Sequence, residues 1–395
     1  MSFEAQGTRS NGRVHKVALV APYDFAYPGG VQTHISSLAR TYRDMGLDVR
    51  VIAACSDTEN LPELLINASA STVRLKYSGS TSHFSLSARA YGRIRDILQR
   101  GAFDVVHLHE PLMPTIPFYA LLHSRSLNVG TFHAYRDSAL SFYQAAVALR
   151  PLMDRLDGRI CVSPAAREYI SRYFPGEYVI IPNGIDYDFF AADVPPVLEF
   201  ADGRPNILFV GRLEKRKGFK YLLEAYEPVK RTCPEVRLLV VGGFGAEEVQ
   251  PFEEFAEERR LPDVHFIGYV SDEMLRRYYR TCSICCAPNT GFESFGYVLT
   301  QAMAASKPVV ASDIAGYRFV MQHEVQGLLV PPEDSQALAE ALIRLLRNPE
   351  EQRRFGEAGR QRAAEFSWQR VARTLLDYYE QLIERKRELA WFQTT

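Results

Sequence analysis

The sequence has no marked excess of charge, no long apolar run and few cysteines, and each of these absences excludes a class of protein. Its 395 residues carry a net charge of −1, so nothing global favours nucleic acid as a partner. No apolar run approaches the roughly 18 residues that a membrane-spanning helix needs. The six cysteines are best interpreted as small buried hydrophobes in a reducing cytoplasm. Residues 1–13 are polar and lack the apolar core of a signal peptide, which predicts a disordered tail.

Two further absences argue against nicotinamide chemistry and against a bound metal. No complete G-x-G-x-x-G motif follows a predicted strand; Gly243-Phe244-Gly245 comes nearest, but position 248 is Glu. His107, His109 and His133 could converge in the fold, yet no carboxylate or fourth ligand follows them at a metal-site spacing. We therefore expect neither a nicotinamide dehydrogenase nor a metal cofactor.

The sequence does contain a repeated alternation of short apolar runs with helical patterns. Continuous runs of Val, Ile and Leu are typical of parallel strands that are buried on both faces. Strands that alternate with helices predict the α/β fold class, with doubly wound, Rossmann-like parallel sheets. The predicted strands are 17–21, 49–53, 104–108, 128–132, 158–162 and 178–181 in the first half, and 207–210, 236–241, 264–267, 284–287 and 308–311 in the second.

A change in composition between the two halves indicates a domain boundary. Residues 191–205 contain Pro195-Pro196 among polar residues, and they read as a linker. We therefore predict an N-terminal domain over 14–190 and a C-terminal domain over 206–367 that face a central cleft, followed by a final helix within 368–395. Ligands are expected at the carboxyl ends of the strands. The Asp186-x-Asp188 pattern just before the linker is interpreted as turn chemistry rather than as a metal site.

The most informative segment is Gly-Phe-Glu-Ser-Phe-Gly at 291–296, between a predicted strand and a helical pattern that begins at Tyr297. Backbone N–H groups and the dipole at a helix start suit a phosphate or another anion. The carboxylate of Glu293 suits hydroxyl groups. Both kinds of ligand occur together in a nucleotide sugar.

Two cations follow the predicted strand 207–210. Arg212 comes directly after the strand, and Lys217 lies five residues further on, at the start of the next helix. Two cations and a helix N-terminus can hold the charge of a diphosphate leaving group without a metal. On spacing alone, a solvated Arg/Lys-rich loop explains the pattern equally well.

Taken together, the motifs resemble the retaining GT-B glycosyltransferases of family four, over residues 15 to 370. The subgroup they resemble most is the phosphatidylinositol mannosyltransferases, through the loop Ala21-Pro22-Tyr23-Asp24-Phe25. The motifs that carry the resemblance are Glu293-Ser-Phe-Gly, Pro28-Gly-Gly-Val-Gln, His107-Leu-His-Glu-Pro, Thr131-Phe-His, Pro182-Asn-Gly-Ile-Asp, and Gly211-Arg212 ahead of Lys217-Gly218.

The resemblance implies a role for each matching residue. It places the donor in the C-terminal domain, the acceptor in the N-terminal domain, and the final helix back against the N-terminal domain. The implied donor-binding residues are Gly30, Gly211, Arg212, Lys217, Val270, Glu293, Ser294, Phe295, Gly296 and Gln301. The implied acceptor-binding residues are Tyr23, Asp24, Gln32, Glu110 and His133. The implied catalytic residues are His133, Arg212, Lys217 and Glu293.

Gln301 departs from the family pattern, in which a second Glu stands at this position and binds the ribose hydroxyls. A Gln amide oxygen accepts a hydroxyl proton, but it is neutral, and a charge-assisted hydrogen bond is roughly twice as strong as a neutral one. We therefore expect ribose binding to persist but to be weaker or differently tuned. The alternative is an ordinary helix residue that faces solvent.

The resemblance implies transfer of a hexosyl group with retention, from GDP-mannose to an inositol phospholipid, without a metal or other cofactor. One alternative is a transferase that uses a UDP-sugar and a water-soluble acceptor. Another is a non-catalytic nucleotide-sugar-binding protein, which Gln301 motivates.

A predicted helix over 85–100 bears on the acceptor, because Arg89, Arg93 and Arg100 share one face beside an apolar face. Such a helix can lie on an anionic membrane surface. An ordinary helix that covers the sheet fits the pattern as well. We expect a cytoplasmic protein, and the lipid-acceptor resemblance adds a peripheral position on the cytoplasmic face of the membrane.

Overall fold

A computed structural model of the chain describes residues 13–27, 29–77, 80–136 and 146–394. The described chain divides into two compact units. The first comprises the described parts of Met1–Val162, Ala166–Gly184 and Trp368–Thr395, and the second comprises Ser163–Ala165 and Ile185–Ser367. The tail predicted over 1–13 lies, apart from its last residue, outside the described residues.

The first unit is built on a seven-stranded sheet in the order β3-β2-β1-β6-β7-β8-β9, in which every neighbouring pair is parallel. A separate antiparallel hairpin, β4-β5, follows β3. The strands are β1 (Lys16–Val20), β2 (Asp48–Ala54), β3 (Leu65–Ser69), β4 (Val73–Tyr77), β5 (Ser80–Phe84), β6 (Val105–His109), β7 (Leu127–Phe132), β8 (Gly158–Cys161) and β9 (Val179–Ile180). The helices in this part of the chain are α1 (Gly30–Asp44), α2 (Ala88–Gly101), α3 (Ile116–His123), α4 (Ala146–Met153) and α5 (Pro164–Ser171).

The second unit is built on a six-stranded parallel sheet in the order β12-β11-β10-β13-β14-β15. Its strands are β10 (Asn206–Val210), β11 (Arg237–Val241), β12 (Val264–Gly268), β13 (Ile284–Ala287), β14 (Val309–Ser312) and β15 (Gly327–Val330). Its helices are α6 (Tyr187–Ala191), α7 (Phe219–Thr232), α8 (Ala246–Glu258), α9 (Asp272–Thr281), α10 (Tyr297–Ala304), α11 (Ala315–Val320), α12 (Ser335–Leu346) and α13 (Pro349–Ala364), with single turns of 3-10 helix at Leu198–Phe200 and Lys215–Lys217.

The predicted α/β class with two parallel sheets is confirmed. Each predicted strand has a counterpart that starts or ends within one or two residues of the expected position. Three strands of the first unit, β3, β4 and β5, and the edge strand β15 were not predicted. β3, β4 and β5 contain polar residues and lack the continuous apolar run of a buried parallel strand. β15 is a short apolar strand, Gly-Leu-Leu-Val, at the edge of its sheet.

The last helix, α14 (Trp368–Thr394), belongs to the first unit. Apolar residues at helical spacing along it are buried in the same cluster as β1, β2 and α1. The hydroxyl of its Tyr379 lies 3.2 Å from that of Tyr42 on α1 and 2.6 Å from Nδ1 of His107 on β6. The buried apolar residues are Trp368, Val371, Ala372, Leu375, Leu376, Tyr379 and Leu382.

The stretch 191–205, predicted as a linker, lies within the second unit. Val197 and Phe200 are buried there, in the core cluster that also contains Tyr278 and Tyr279. Just before this stretch, the carboxylate of Asp186 accepts a hydrogen bond from the backbone of Phe189 and caps α6. That capping matches the turn role expected for Asp186.

All six cysteines are free thiols, and five of them are buried. Cys282 and Cys285 are three residues apart, and burial raises the pKa of both thiols, the Cys282 thiol to about 11. A thiol of raised pKa is a poor nucleophile, so this pair is structural. Within the described part of the chain, no helix is long and apolar enough to cross a bilayer.

Candidate active site

In the second unit, the site is built where the strand order of the sheet reverses. β10 and β13 are hydrogen-bonded neighbours, although 73 residues separate Val210 from Ile284. The loops that leave their carboxyl ends are therefore adjacent. This is the position at which open α/β sheets bind their ligands.

Glu293, in the loop after β13, is the centre of this site. Its Oε2 atom accepts hydrogen bonds from Nζ of Lys217 at 2.7 Å, from Nδ2 of Asn289 at 3.0 Å and from Nη1 of Arg216 at 3.4 Å. The side chain is only 20% exposed, and that of Lys217 is 18% exposed. The structure thus brings together two residues that lie 76 positions apart in the sequence.

The charge of Glu293 is set by these neighbours. Burial by itself would raise the pKa of the carboxyl group, but the cations of Lys217 and Arg216 outweigh burial and hold the pKa below its usual value of 4.5. The carboxylate is therefore ionised at neutral pH and is an acceptor for hydroxyl groups. All three of these hydrogen bonds go to Oε2, so Oε1 is the oxygen that is available to a ligand.

Two glycines allow the loops to approach each other. Gly218 has φ +68°, and a Cβ atom there would lie 1.8 Å from the carbonyl oxygen of Pro288. Gly296 has φ +98°, and a Cβ atom there would lie 2.6 Å from the ring of Tyr317. L-residues rarely adopt such φ values, so glycine is required at both positions by conformation and by space.

Arg212 is placed differently from Lys217. It follows Gly211 at the end of β10, is 48% exposed, and pairs through Nη2 with Oε1 of Glu214 at 2.8 Å. Glu214 also accepts a hydrogen bond from Nε of Arg216 at 2.9 Å. Arg212 therefore lies at the rim of the cluster.

The sequence missed Arg216 and Asn289 as site residues. The only signal for Arg216 was its place beside Lys217 in a basic turn, and Asn289 lies four residues before Glu293 on the same loop. Neither spacing indicates which side chain turns toward the carboxylate, since that depends on the packing of two distant loops.

The remaining predicted donor residues of the second unit contribute in different ways. Phe295 is buried in the core against Phe366, so it has only its backbone to offer a ligand. Ser294 and Gly296 flank it ahead of α10. Val270, after β12, is partly buried and packs against the core.

Gln301 is not a solvent-facing helix residue. Its Oε1 atom accepts a hydrogen bond from the buried hydroxyl of Tyr279 at 3.0 Å. With Oε1 engaged by Tyr279, the NH₂ group is the end of the amide that is left for a ligand.

In the first unit, the loops after β1, β6 and β7 lie side by side because β1 pairs with β6 and β6 pairs with β7. Glu110 follows β6 with φ +53° and is buried. Its Oε1 atom accepts hydrogen bonds from the backbone N–H groups of His133 at 2.6 Å and Ala134 at 3.0 Å. Glu110 therefore holds the loop that carries His133, while burial raises the pKa of its carboxyl group.

His107, His109 and His133, for which the sequence left convergence open, do lie together, and a fourth histidine, His34 on α1, joins them. Nδ1 of His109 lies 2.9 Å from Nε2 of His133, and the ring of His34 packs edge-on against both. His107 is hydrogen-bonded to Oγ1 of Thr131 at 2.6 Å and, through its other nitrogen, to Tyr379. His34 was not predicted as a site residue, because a single His in a helical pattern is usually structural.

The predicted acceptor residues of the loop after β1 include one that is fully engaged. The carboxylate of Asp24 is buried and accepts hydrogen bonds from the backbone of Ala26 and Ser56 and from the hydroxyl of Thr72. The structure therefore gives Asp24 a role in fixing the loop rather than a free carboxylate. Gln32 donates to the backbone carbonyl of Asp24 at 3.3 Å.

Tyr23 and Gly30 are two other predicted residues in this stretch of the first unit. Burial, with the charge of Glu110, raises the pKa of the Tyr23 hydroxyl well above its ordinary value, so that group is a hydrogen-bond donor at neutral pH. Gly30 is the first residue of α1, where a backbone N–H group can meet an anion. Pro28 lies outside the described residues.

Both halves of the chain match models of glycosyltransferase families. Residues 28–189 match the family described as Glycosyltransferase Family 4, and residues 192–362 match Glycosyl transferases group 1. The phosphatidyl-myo-inositol mannosyltransferase of Mycobacterium leprae (strain TN) is 36% identical over 366 residues, which cover 92% of this chain and 96% of that protein. The chain belongs to the family 4, group 1 glycosyltransferases.

Two further comparisons concern a more distant relative of this glycosyltransferase and a solved structure. The D-inositol 3-phosphate glycosyltransferase of Kribbella flavida is 26% identical, with 90% of this chain and 91% of that protein covered. The structure of a sucrose-phosphate synthase from Thermosynechococcus elongatus superposes with a TM-score of 0.72 at 24% identity and covers 94% of this chain and 100% of that one. These findings confirm the resemblance to the family and the predicted GT-B fold.

Proposed function

We propose that this glycosyltransferase transfers a mannosyl group from GDP-mannose to phosphatidylinositol, with retention of configuration and without a metal. The observation that carries the transfer chemistry is the cluster of Lys217, Arg216 and Glu293 at the carboxyl ends of β10 and β13. The choice of sugar and acceptor is supported by the 36% identity to a protein named as a phosphatidyl-myo-inositol mannosyltransferase.

In the proposed mechanism, the cations hold the leaving diphosphate. As the glycosidic bond breaks, negative charge builds up on the phosphate oxygens, and Lys217, with Arg212 at the rim, stabilises it. Glu293 accepts hydrogen bonds from sugar hydroxyls through the oxygen that the protein leaves available. Lys217 is already hydrogen-bonded to Glu293, so its position is fixed before the donor arrives. When the donor binds, the ammonium group contacts both Glu293 and the diphosphate.

The proposed route to retention is a same-face reaction. Retaining glycosidases use a carboxylate nucleophile about 5 Å from a second carboxyl group. In the fully described second unit, Glu293 is held by cations and an amide, which suits it to bind hydroxyls rather than to attack carbon. We therefore assign the acceptor proton to the leaving phosphate, with His133 beside the reacting sugar.

The first experiment identifies the donor and the acceptor. A panel of GDP- and UDP-sugars is screened for thermal stabilisation, because a ligand at 100 times its Kd stabilises by about 2.7 kcal/mol. Radiolabelled sugar is then followed into organic solvent with phosphatidylinositol as the acceptor. Stabilisation by GDP-mannose and label in the organic phase support the proposal.

A soluble acceptor is the second candidate, and the 26% identity to a protein named as a D-inositol 3-phosphate glycosyltransferase favours it. In that case, the label stays in the aqueous phase with an inositol phosphate, and a UDP-sugar stabilises the protein. The two candidates therefore predict different results both for the donor that stabilises the protein and for the phase in which the label is found.

For the lipid acceptor, we propose that α2 is the membrane-facing element. Arg89, Arg93 and Arg100 are exposed on it, and the large apolar side chains of Leu86 and Tyr91 are 50% and 41% exposed nearby. Each Lys or Arg near an anionic surface contributes about 1 kcal/mol, and 1 M salt shortens the Debye length to about 3 Å. We thus expect salt-sensitive binding to anionic vesicles.

The test is co-sedimentation with vesicles that contain phosphatidylinositol. The triple variant of Arg89, Arg93 and Arg100 to Ser should lose most of the bound fraction. The matched control replaces three exposed arginines elsewhere, at 353, 370 and 373, by Ser. Equal binding by the two triple variants would remove α2 from this role.

A further inference from the structure

The histidine cluster of the first unit contains more nitrogen acceptors than hydrogen bonds to satisfy them. His34 and His109 are both buried; Nε2 of His109 has no hydrogen-bond partner among the described residues, whereas His34 has the side chain of Asn183 as a neighbour. Buried polar atoms without a partner are rare in folded proteins, and where they occur they often mark a bound ion or water. The cluster therefore has unused binding capacity.

Three of the histidines bring ring nitrogens close together. One ring nitrogen each from His34, His109 and His133 lies within 4.8 Å of the others. The contact of 2.9 Å between His109 and His133 is a hydrogen bond that a metal ion can replace, because two nitrogens on a tetrahedral zinc are separated by only slightly more. His107 takes no part, since both of its nitrogens are engaged by Thr131 and Tyr379.

The chemistry of these three groups selects the kind of ion. All three groups are imidazoles, and a neutral imidazole binds a metal ion through a ring nitrogen. Imidazole nitrogens suit zinc, copper and nickel, whereas magnesium and calcium require oxygen ligands. Among the described residues, no carboxylate joins the group.

We propose that His34, His109 and His133 form a binding site for a zinc-class divalent ion, and that the ion inhibits sugar transfer. Three protein ligands leave a fourth position on the ion open to water. The binding half of this proposal stands on the cluster alone. The inhibitory half rests on the proposed function, because it requires that His133 lie beside the reacting sugar and that the ion hold it there.

Binding is tested on the full chain after treatment with a chelator. Cobalt(II) is titrated as a spectroscopic stand-in, and we expect one ion per chain, visible absorption bands of a tetrahedral site, and displacement by zinc. His34→Gln should weaken binding by about tenfold or more. His15→Gln, at an exposed histidine outside the cluster, is the control and should bind as the wild type does. Magnesium should not compete.

A measurement on the wild type alone covers the case in which His34→Gln does not fold. X-ray absorption of the zinc-loaded protein should show three imidazole ligands at roughly 2.0–2.1 Å. Absence of tetrahedral cobalt bands, or a ligand count without three imidazoles, overturns the site. Unchanged binding by a folded His34→Gln variant overturns it as well.

Inhibition is tested separately by steady-state sugar transfer. Zinc should inhibit the wild type, EDTA should restore the rate, and folded His34→Gln should stay active at zinc concentrations that stop the wild type. If cobalt and zinc bind as described but transfer is not inhibited, the ion site stands and the role proposed for His133 is overturned. If no sugar transfer occurs with any donor, the proposed function fails while the binding result remains.

Discussion

Replacing Lys217 by Met removes the cation closest to Glu293 and keeps most of the length of the side chain. Nζ of Lys217 lies 2.7 Å from Oε2 of Glu293, and the variant leaves that oxygen with Asn289 at 3.0 Å and Arg216 at 3.4 Å. Breaking a fully buried pair costs about 3–5 kcal/mol. Because two partners remain, we expect a loss of about 1.5–3 kcal/mol in the free energy of unfolding, the range for one charged hydrogen bond.

The loss of activity should be larger than this loss of stability would explain. Lys217 is assigned to the leaving diphosphate, and removal of one such group typically lowers kcat by a factor of about 10² to 10³. The same loss, of about 10² to 10³, is expected for Arg212→Ala with the fold intact. Rates are measured in single turnover with saturating donor, on protein shown to be folded at the assay temperature. Lys215→Met, an exposed cation on the same turn, is the matched control and should keep its rate.

The pH dependence of stability provides an independent check. The pKa of Glu293 is below its usual value of 4.5 in the folded protein, so the pair with Lys217 stabilises the fold above that value and the contribution is lost as the pH falls through the lowered pKa. The difference in stability between the wild type and Lys217→Met should therefore be large at pH 7 and shrink in acid. A kcat like that of the wild type, or a difference in stability that does not change with pH, would refute the reasoning.

Four further predictions concern other parts of the site. Glu293→Gln should lower kcat more than any change at Gln301, because it removes a charged acceptor at the sugar; equal kcat values for Glu293→Gln and Gln301→Asn would place the sugar-holding carboxylate elsewhere. Glu110→Ala should lower the rate strongly while Glu110→Gln retains most of it, since an amide oxygen can still accept the two N–H groups of the His133 loop; the pair is compared by steady-state kinetics. Gly218→Ala should destabilise the second unit by at least about 1–3 kcal/mol, measured by denaturant unfolding, because of its φ of +68° and the contact with Pro288. EDTA should not abolish transfer; full loss restored by magnesium or manganese would contradict the metal-free leaving-group site.

Much of the site was predictable from the order of its motifs. Glu293 and Lys217 each follow a strand of the same predicted sheet, and the carboxyl ends of parallel strands meet at one edge. Arg216 and Asn289 were not predictable in the same way. Their types are common in loops, and only the approach of one loop to the other, permitted by Gly218, brings them to the carboxylate.

In the first unit, more of the contacts that define the site join residues far apart in the sequence. The sequence left open that His107, His109 and His133 could converge, and the pairing of β6 with β7 is what brings them together. The sequence could not predict that Tyr379 would engage His107 from a helix 272 residues away, or that His34 would join the cluster from α1. Asp24 was expected to bind the acceptor, but its oxygens are taken up by groups from two other loops.

The fold class, the positions of the central strands and the family could be read from the amino-acid sequence. They depend on local patterns: apolar runs that must be buried, glycines at tight turns, and motifs whose order follows the chain. Which polar atoms are hydrogen-bonded and which stay available was visible only in the folded structure, as in the engaged carboxylate of Asp24 and the unpartnered Nε2 of His109. The reason is that a hydrogen bond requires two groups within about 3 Å, and partners far apart in sequence reach that distance only through the packing of the whole unit.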